Sequence, residues 1–154
     1  MNKDFLAYWK PSAVDAQVKV GGVQRYAASS QYRRVAPGDT VWIVTVRDGR
    51  LHLVTRILVE QVTDRVVAAA ALGVPAEDLW DAKCHIVAES STAVKVLDRD
   101  IHDLALELRF ISSSGNDRLT LKENGKLTGQ QFQALRQLTS ESALRLASVM
   151  NDVN

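Results

Sequence analysis

The aromatic residues of this chain, and the small polar side chains beside them, are the groups best suited to bind a ligand. Aromatic rings stack on a flat base, and an amide or hydroxyl group can read the hydrogen-bonding edge of that base. Each ring taken alone also fits a position in a hydrophobic core. Together they predict a slot for a flat ligand, lined by Trp9, Ser29, Ser30, Gln31, Tyr32, Trp42 and Trp80.

Residues that could catalyse a reaction or hold a metal are scattered along the chain. Cys84 and His85 are adjacent, so in a strand they point to opposite faces. The segment from Asp81 to Lys83 resembles an acid-x-Lys nuclease centre, but the carboxylates that would hold Mg²⁺ with it are not placed upstream. The sequence has no Gly-x-Ser-x-Gly elbow and no glycine-rich phosphate loop. It therefore predicts no enzyme, no metal site and no cofactor.

The bulk composition is that of an ordinary globular domain. The 154 residues are 46% hydrophobic and 24% charged, which suits one domain spanning 1–154. No apolar run approaches the ~20 residues of a transmembrane helix, so we expect no membrane association. The N-terminus lacks the apolar region of a signal peptide, and Cys84 is the only cysteine. Both features favour a cytoplasmic protein.

The net charge is only +1, but the charges are unevenly distributed. Residues 1–60 hold nine basic and five acidic residues, whereas the remainder holds ten and thirteen. This bias suits a local phosphate contact rather than a broad nucleic-acid stripe, and an uneven but solvated surface explains it equally well.

The polar cluster precedes a turn and a strand that should position it. Pro37 and Gly38 favour a tight turn, and Asp39 can bond nearby backbone. The strand 40–47 is followed by Asp48-Gly49, a strong hairpin signal, and by a return strand over 50–61. With a first strand over 5–9, these long strands, apolar on both faces, predict a curved sheet or a closed barrel.

Helices and further strands are expected around this sheet. We predict a helix over 12–20 that ends at Gly21-Gly22, a helix capped by Thr63 or Asp64, and strands over 82–89, 93–97, 106–111 and 118–121. A capping box of Thr128 and Gln131 predicts a helix bearing Phe132, Leu135 and Leu138. The predicted core faces of two helices are Val66, Val67, Ala70 and Ala71, and, near the C-terminus, Ala143, Leu144, Ala147 and Met150. The fold class is α+β with a helical C-terminus.

Several of these segments resemble the EVE domain, a member of the PUA-like superfamily. Tyr8-Trp9 at the end of the first strand resembles the opening of that domain. So does the run Ala28-Ser29-Ser30-Gln31-Tyr32 that leads into Val35-Ala36-Pro37-Gly38-Asp39-Thr40-Val41-Trp42. The following hairpin, Leu79-Trp80, Leu108-Arg109-Phe110, Gln130-Gln131-Phe132 and Leu135-Arg136-Gln137-Leu138-Thr139 are also similar, so the resemblance covers nearly the whole chain.

The resemblance implies a PUA-like curved or barrel-like mixed sheet flanked by short helices. Related modules, among them EVE, YTH and ASCH domains, take a base, often a modified one, out of its stack into an aromatic pocket. Some EVE-like domains are the modified-cytosine readers of restriction endonucleases. By this resemblance the partner is DNA or RNA carrying a modified base, with an effector nuclease encoded separately. It also implies these roles: Trp9 as pocket floor or wall, Ser30 and Gln31 as edge readers, Trp42 as packing or stacking partner, and Lys10, Arg33 and Arg34 as phosphate contacts.

Three functions remain open from the sequence. The first is a non-enzymatic reader that flips a modified base into an aromatic pocket, with a free modified nucleoside or another small ligand as a variant. The second is a structural or protein-interaction module whose aromatic residues all lie in the core. The third is a small hydrolase or nuclease acting through Asp81, Lys83 or Cys84.

Overall fold

The computed structural model of the chain describes residues 2–20, 23–113 and 115–152. Its strands are β1 (Asp4–Tyr8), β2 (Val23–Gln24), β3 (Tyr26–Ala28), β4 (Thr40–Arg47), β5 (Arg50–Thr63), β6 (His85–Ala88), β7 (Val94–Lys95), β8 (Arg99–Asp100), β9 (Phe110–Ser112), β10 (Gly115–Asp117) and β11 (Arg136–Leu138). Its α-helices are α1 (Pro11–Val20), α2 (Arg65–Leu72) and α3 (Ser140–Asp152). Short 3₁₀ turns lie between them, at Ser30–Arg34, Ala76–Asp78, Ser90–Thr92, His102–Glu107 and Gly129–Phe132.

Most of the strands form one mixed sheet in the order β10-β9-β11-β1-β4-β5-β6-β3, with β8 also paired to β5. The β1–β4 pair is parallel, while the other pairs along this path are antiparallel. Strands β10 and β3 end the path and do not pair with each other in the described part of the chain. The α+β class, the mixed sheet and the C-terminal helix are thus confirmed, but the closed-barrel alternative is wrong.

The β4–β5 hairpin is the centre of the sheet, and its turn is the one that the sequence predicts. Asp48 and Gly49 have φ values of 51° and 75°, so both adopt the left-handed conformation that matches the twist of a two-residue hairpin. Val41, Ile43, Val44, Leu51, Leu53 and Ile57 are all fully buried. Central strands covered on both faces explain why these segments have no purely polar face.

The two faces of the sheet build two separate hydrophobic cores. Because side chains alternate along a strand, Phe5 and Ala7 of β1 enter one core and Leu6 enters the other. The first core continues through Trp9, Val14 of α1 and Tyr32. The second core contains Trp42, Phe110, Phe132, Leu146 and Met150, and α3 covers it. Residues close in sequence therefore serve opposite sides of the sheet.

The carboxylate of Asp39 stabilises the Pro37–Asp39 turn. Gly38 has a φ of 95°, a value that favours glycine. Asp39 is 4% exposed, and its two oxygens accept hydrogen bonds from the backbone N–H groups of Lys3 at 2.8 Å and Ala36 at 2.9 Å. Asp39 thereby joins the turn to the residue before β1, which confirms the expected local backbone bond and adds a contact across the sheet.

The predicted core face is wrong for α2 and largely right for α3. Asp64 caps α2 and Gly73 ends it at a φ of 71°, as expected. However, α2 buries Ala68 and Ala69, while Val66 and Val67 are exposed. In α3 the predicted Ala143 and Met150 are buried and Ala147 is partly buried, whereas Leu144 is exposed and Leu146 is buried instead. None of the helices in the described ranges is long and apolar enough to cross a membrane.

Three further sequence predictions fail or go untested. The segment after Thr128 forms a 3₁₀ turn and then strand β11, not a helix, and Thr128 provides no side-chain cap. Gln131 instead pairs with both backbone groups of Thr120. The strand expected at 118–121 is absent, and the preceding segment forms β10. Gly21 and Gly22, the predicted end of α1, lie outside the described residues.

Asp100, in strand β8, forms a pH-dependent ion pair with Arg50 of strand β5. Its carboxylate pairs with Arg50, at 2.5 Å from Nε, and accepts the backbone N–H of His102 at 2.9 Å. These bonds, the Arg50 bond foremost, lower the pKa of Asp100 from 3.8 to about 2. A folded-state pKa below the unfolded value stabilises the fold above about pH 4, and the stabilisation is lost as the pH falls towards 2.

We therefore expect Asp100→Asn to cost about 1 kcal/mol or less at pH 6, since the pair is partly exposed. The free energy of unfolding of the two proteins should converge near pH 2. Denaturant titrations at both pH values measure this difference, and a gap that stays constant with pH would contradict the ion pair.

Candidate ligand-binding site

A cavity of about 260 Å³ lies where β1 ends. It is enclosed by the last residues of β1, the start of the Ser30–Arg34 turn, the Trp80 turn and the segment before β11. Six of the residues that the sequence predicts for the site line it: Trp9, Lys10, Ser29, Gln31, Tyr32 and Trp80. Residues from four separate parts of the sequence thus meet at one place.

The aromatic side chains divide between the floor and the mouth of this cavity. Trp9 and Tyr32 are 5% and 3% exposed, and both belong to the first hydrophobic core. Trp80 is 37% exposed and meets the Trp9 ring edge-on, with centroids 5.5 Å apart and planes at 80°. Trp80 is therefore the indole that an entering ligand can reach, and Trp9 supports it from below.

Tyr26 and His85 hold Trp80 in this position. The Tyr26 ring packs against Trp80 at 5.9 Å and stacks on His85 at 5.6 Å. His85 is fully buried, with Nε2 2.8 Å from the carbonyl of Ala82 and Nδ1 2.7 Å from the Tyr26 hydroxyl. A carbonyl only accepts, so Nε2 carries a proton and Nδ1 accepts the Tyr26 hydroxyl proton in the neutral ring. Burial raises the pKa of Tyr26, which keeps that hydroxyl a donor.

Ser29 and Gln31 organise the wall of the cavity. The Ser29 hydroxyl oxygen accepts the backbone N–H of Gln31 at 3.1 Å and so caps the Ser30–Arg34 turn. The Gln31 amide donates to the carbonyl of Gln133 and accepts the N–H of Leu135. It therefore joins two distant segments, and only part of its hydrogen-bonding capacity remains for a ligand edge. The Ser29 hydroxyl proton is still available to be donated.

A larger groove of about 770 Å³ adjoins the cavity, and the two share Gln31 and Leu135 as lining residues. Three cationic side chains line the groove, Arg33, Arg34 and Lys83, against one carboxylate, Asp81. Arg33 and Lys83 are exposed and form no ion pair within the described ranges. This surface is therefore electropositive beside the mouth of an aromatic cavity.

The predicted polar residues do not all occupy the places expected of them. Ser30 is exposed and lines the groove, not the cavity. Arg34 is already engaged, since its guanidinium donates to the Leu135 carbonyl at 2.5 Å and lies 5.7 Å from the centre of the Phe5 ring. Arg34 thus stabilises the segment that contains Leu135, and the exposed Arg33 is the arginine better placed to contact a ligand.

Trp42, which the sequence predicts as a packing or stacking partner, does not line this cavity. In the parallel β1–β4 pair Trp42 lies beside Leu6, and both side chains enter the second core. Trp9 belongs to the first core, on the other face of the sheet. The Trp42 indole N–H bonds the Asp4 carboxylate at 3.1 Å, and the ring is 3% exposed. Trp42 is a core residue and does not line the aromatic cavity.

Three features of the site were missed from the sequence: the Tyr26 and His85 supports, and the wall from Phe132 to Leu135. Lys83 was predicted only as a possible nuclease residue, whereas the structure places it in the cationic groove. The missed features depend on pairing between distant segments. Within the ranges that the structure describes, no group of three or more His, Cys, Asp or Glu side chains could hold a metal ion.

No protein-family model, no curated protein and no solved structure matches this chain.

Proposed function

We propose that this chain is a non-enzymatic binding module that takes a flipped base from DNA or RNA into the cavity beneath Trp80. The observation that carries the proposal is the junction of an aromatic cavity with a cationic groove. An extruded base needs a ring to stack on and groups that read its edge, and its flanking nucleotides need cations for their phosphates. Both requirements are met within one continuous surface.

The size of the cavity supports a ligand no larger than a single base. Sites for drug-sized molecules usually measure about 300–1,000 Å³, and this cavity is smaller, at about 260 Å³. Trp80 offers the stacking surface, while the Ser29 hydroxyl and the remaining Gln31 amide proton offer hydrogen bonds. Stacking of this kind is worth about 1–3 kcal/mol per base.

The groove supports a ligand that is part of a strand. Arg33, Lys83 and, at the cavity, Lys10 provide positive charge where phosphates on either side of the base would lie. That the base is a modified one, and that a separately encoded nuclease acts on it, follows only from the resemblance to EVE domains and is part of the proposal. The same holds for a PUA-like fold, whereas the proposed cytoplasmic location rests on the single cysteine, Cys84, and on the absence of a signal-peptide pattern.

Binding of oligonucleotides with and without a modified cytosine tests this function. We expect a preference for the modified strand and an affinity that falls with salt. Arg33→Gln and Lys83→Gln should each reduce the slope of log affinity against log salt by about 0.7–0.9, because each removes one phosphate contact. Fluorescence anisotropy at several salt concentrations between 50 and 200 mM, a range in which phosphate contacts affect affinity strongly, gives these slopes.

Arg118→Gln is the matched control for the two groove variants. Arg118 is also exposed, but it lines neither the cavity nor the groove, so its loss should leave the slope unchanged. Equal slopes for all four proteins, or equal affinity for modified and plain strands, would contradict the proposed mechanism. Metal-dependent cleavage of the strand would instead favour a nuclease acting through Asp81 and Lys83.

A further inference from the structure

Arg56 lies on the face of the sheet that carries the second core, and it is not among the residues that line the aromatic cavity. It lies in β5 directly beside Trp42, and its Nε is buried without a hydrogen-bond partner. Within the described ranges no carboxylate pairs with its guanidinium. The terminal guanidinium nitrogens are not among the buried atoms and form no hydrogen bond or ion pair within the described ranges, so they are the groups that can donate to a ligand in a groove beside Arg56.

The guanidinium lies in a groove of about 460 Å³ between the sheet, the Ser90–Thr92 turn and α3. Much of the lining is apolar and includes Leu58, Val94 and Ala147. Leu58 is 37% exposed, a large hydrophobic side chain left open on the sheet surface. Polar hydroxyl groups come from Thr40 and Ser91. The groove therefore combines one cation, a few hydroxyl groups and an apolar wall.

The charge of this groove limits the ligand to a single negative charge. Arg56 is the one cationic residue among those that line it. The Asp4 carboxylate, on the same face, is hydrogen-bonded to the Trp42 indole and adds negative potential. A polyphosphate would meet too little positive charge here. A carboxylate matches the planar fork of an arginine, which can bond both of its oxygens.

We propose that this groove is a second binding site, for a small monocarboxylate with an apolar body. The carboxylate pairs with the Arg56 guanidinium, and the apolar body lies along Leu58, Val94 and Ala147. The site shares no lining residue with the aromatic cavity and does not depend on nucleic-acid binding. Its volume falls within the ~300–1,000 Å³ typical of small-molecule sites.

Titration of the full chain with sodium hexanoate, followed by NMR, tests this site. We expect saturable shifts of the Arg56 Nε–H and Trp42 indole N–H resonances. Hexanol, which has the same chain length without the charge, and inorganic phosphate, which has charge without an apolar body, should bind at least about tenfold more weakly. Arg56→Met should weaken hexanoate binding about tenfold or more, as expected for loss of a charged hydrogen bond.

Arg118→Met serves as the matched control, because Arg118 is exposed and lies outside this groove. Arg56→Lys, which keeps the positive charge, should bind hexanoate with an affinity between those of the wild type and Arg56→Met. Equal binding of hexanoate and hexanol, tighter binding of phosphate, or shifts that never saturate would each overturn the proposal. These outcomes are read on the wild-type chain and so do not require any variant to fold.

Discussion

Replacing Trp80 with alanine is expected to weaken binding of a modified oligonucleotide by about ten- to a hundredfold. Trp80 is the exposed indole at the mouth of the cavity, braced by Trp9 and Tyr26. Loss of one base–aromatic stack costs about 1–3 kcal/mol, and each 1.4 kcal/mol is a tenfold change in affinity. Anisotropy titrations of the wild type and the variant at one fixed salt concentration measure the effect.

The variant Trp80→Phe distinguishes a loss of base stacking from a loss of fold stability. Phenylalanine keeps a ring for the base while losing the indole, so this variant should retain most of the affinity. Since Trp80 also contacts Trp9 and Tyr26, the free energy of unfolding must be measured for both variants. If Trp80→Ala stays folded and binds as tightly as the wild type, the base does not stack on Trp80.

Replacing Asp39 with alanine is expected to lower the free energy of unfolding by about 2–3 kcal/mol. The change removes two hydrogen bonds from backbone N–H groups, of Lys3 and Ala36, to a carboxylate that is 4% exposed. Hydrogen bonds to charged groups contribute about 1.5–3 kcal/mol each, and partial access of water to these N–H groups reduces the total. For a chain of this size the melting temperature should fall by about 5–10 °C.

Asp39→Asn gives the matching intermediate case. The asparagine amide keeps one oxygen acceptor and replaces the other with a donor, so it can satisfy only one of the two N–H groups. Urea titrations should therefore place Asp39→Asn between the wild type and Asp39→Ala. A loss below about 0.5 kcal/mol for Asp39→Ala would mean that the carboxylate does not hold the turn to β1.

The strands at the centre of the sheet could be predicted because their signals are local. Asp48-Gly49 favours a two-residue turn through its own backbone preferences, and the register of β4 and β5 follows from that turn as far as Val44 and Leu53, beyond which a bulge shifts it by one residue. Likewise, Gly38 and Asp39 determine the tight turn before β4 with atoms from neighbouring residues. Signals of this kind do not depend on distant parts of the chain.

The buried face of helix α2 and the late strands were mispredicted because tertiary contacts decide them. Nearly all residues of helix α2 are apolar, so its sequence does not show that Ala68 and Ala69 form its buried face. The Phe132, Leu135 and Leu138 spacing suits a helix, but pairing of β11 with β1 and β9 draws that segment into the sheet. Strand pairing that buries a hydrophobic face overrides the helix propensity of the segment.

The site was predicted in part for the same reason. The residues near the Ser30–Arg34 turn were found because polar and aromatic groups precede a turn and a strand. That Trp42 lies away from the cavity was not predictable, because a strand that is buried on both faces does not show which way its indole points. That direction follows from the parallel pairing of β4 with β1, which no local signal encodes.

NMR titration with an oligonucleotide that carries a modified cytosine tests the central claim most directly, using the three tryptophan indole N–H resonances. Trp9 and Trp80 line the cavity, whereas Trp42 lies in the other core and serves as an internal control. We predict saturable shifts of the Trp9 and Trp80 resonances, with Trp42 unchanged. Saturable binding that leaves Trp9 and Trp80 unshifted would show that the base does not enter this cavity, and would contradict the proposed function.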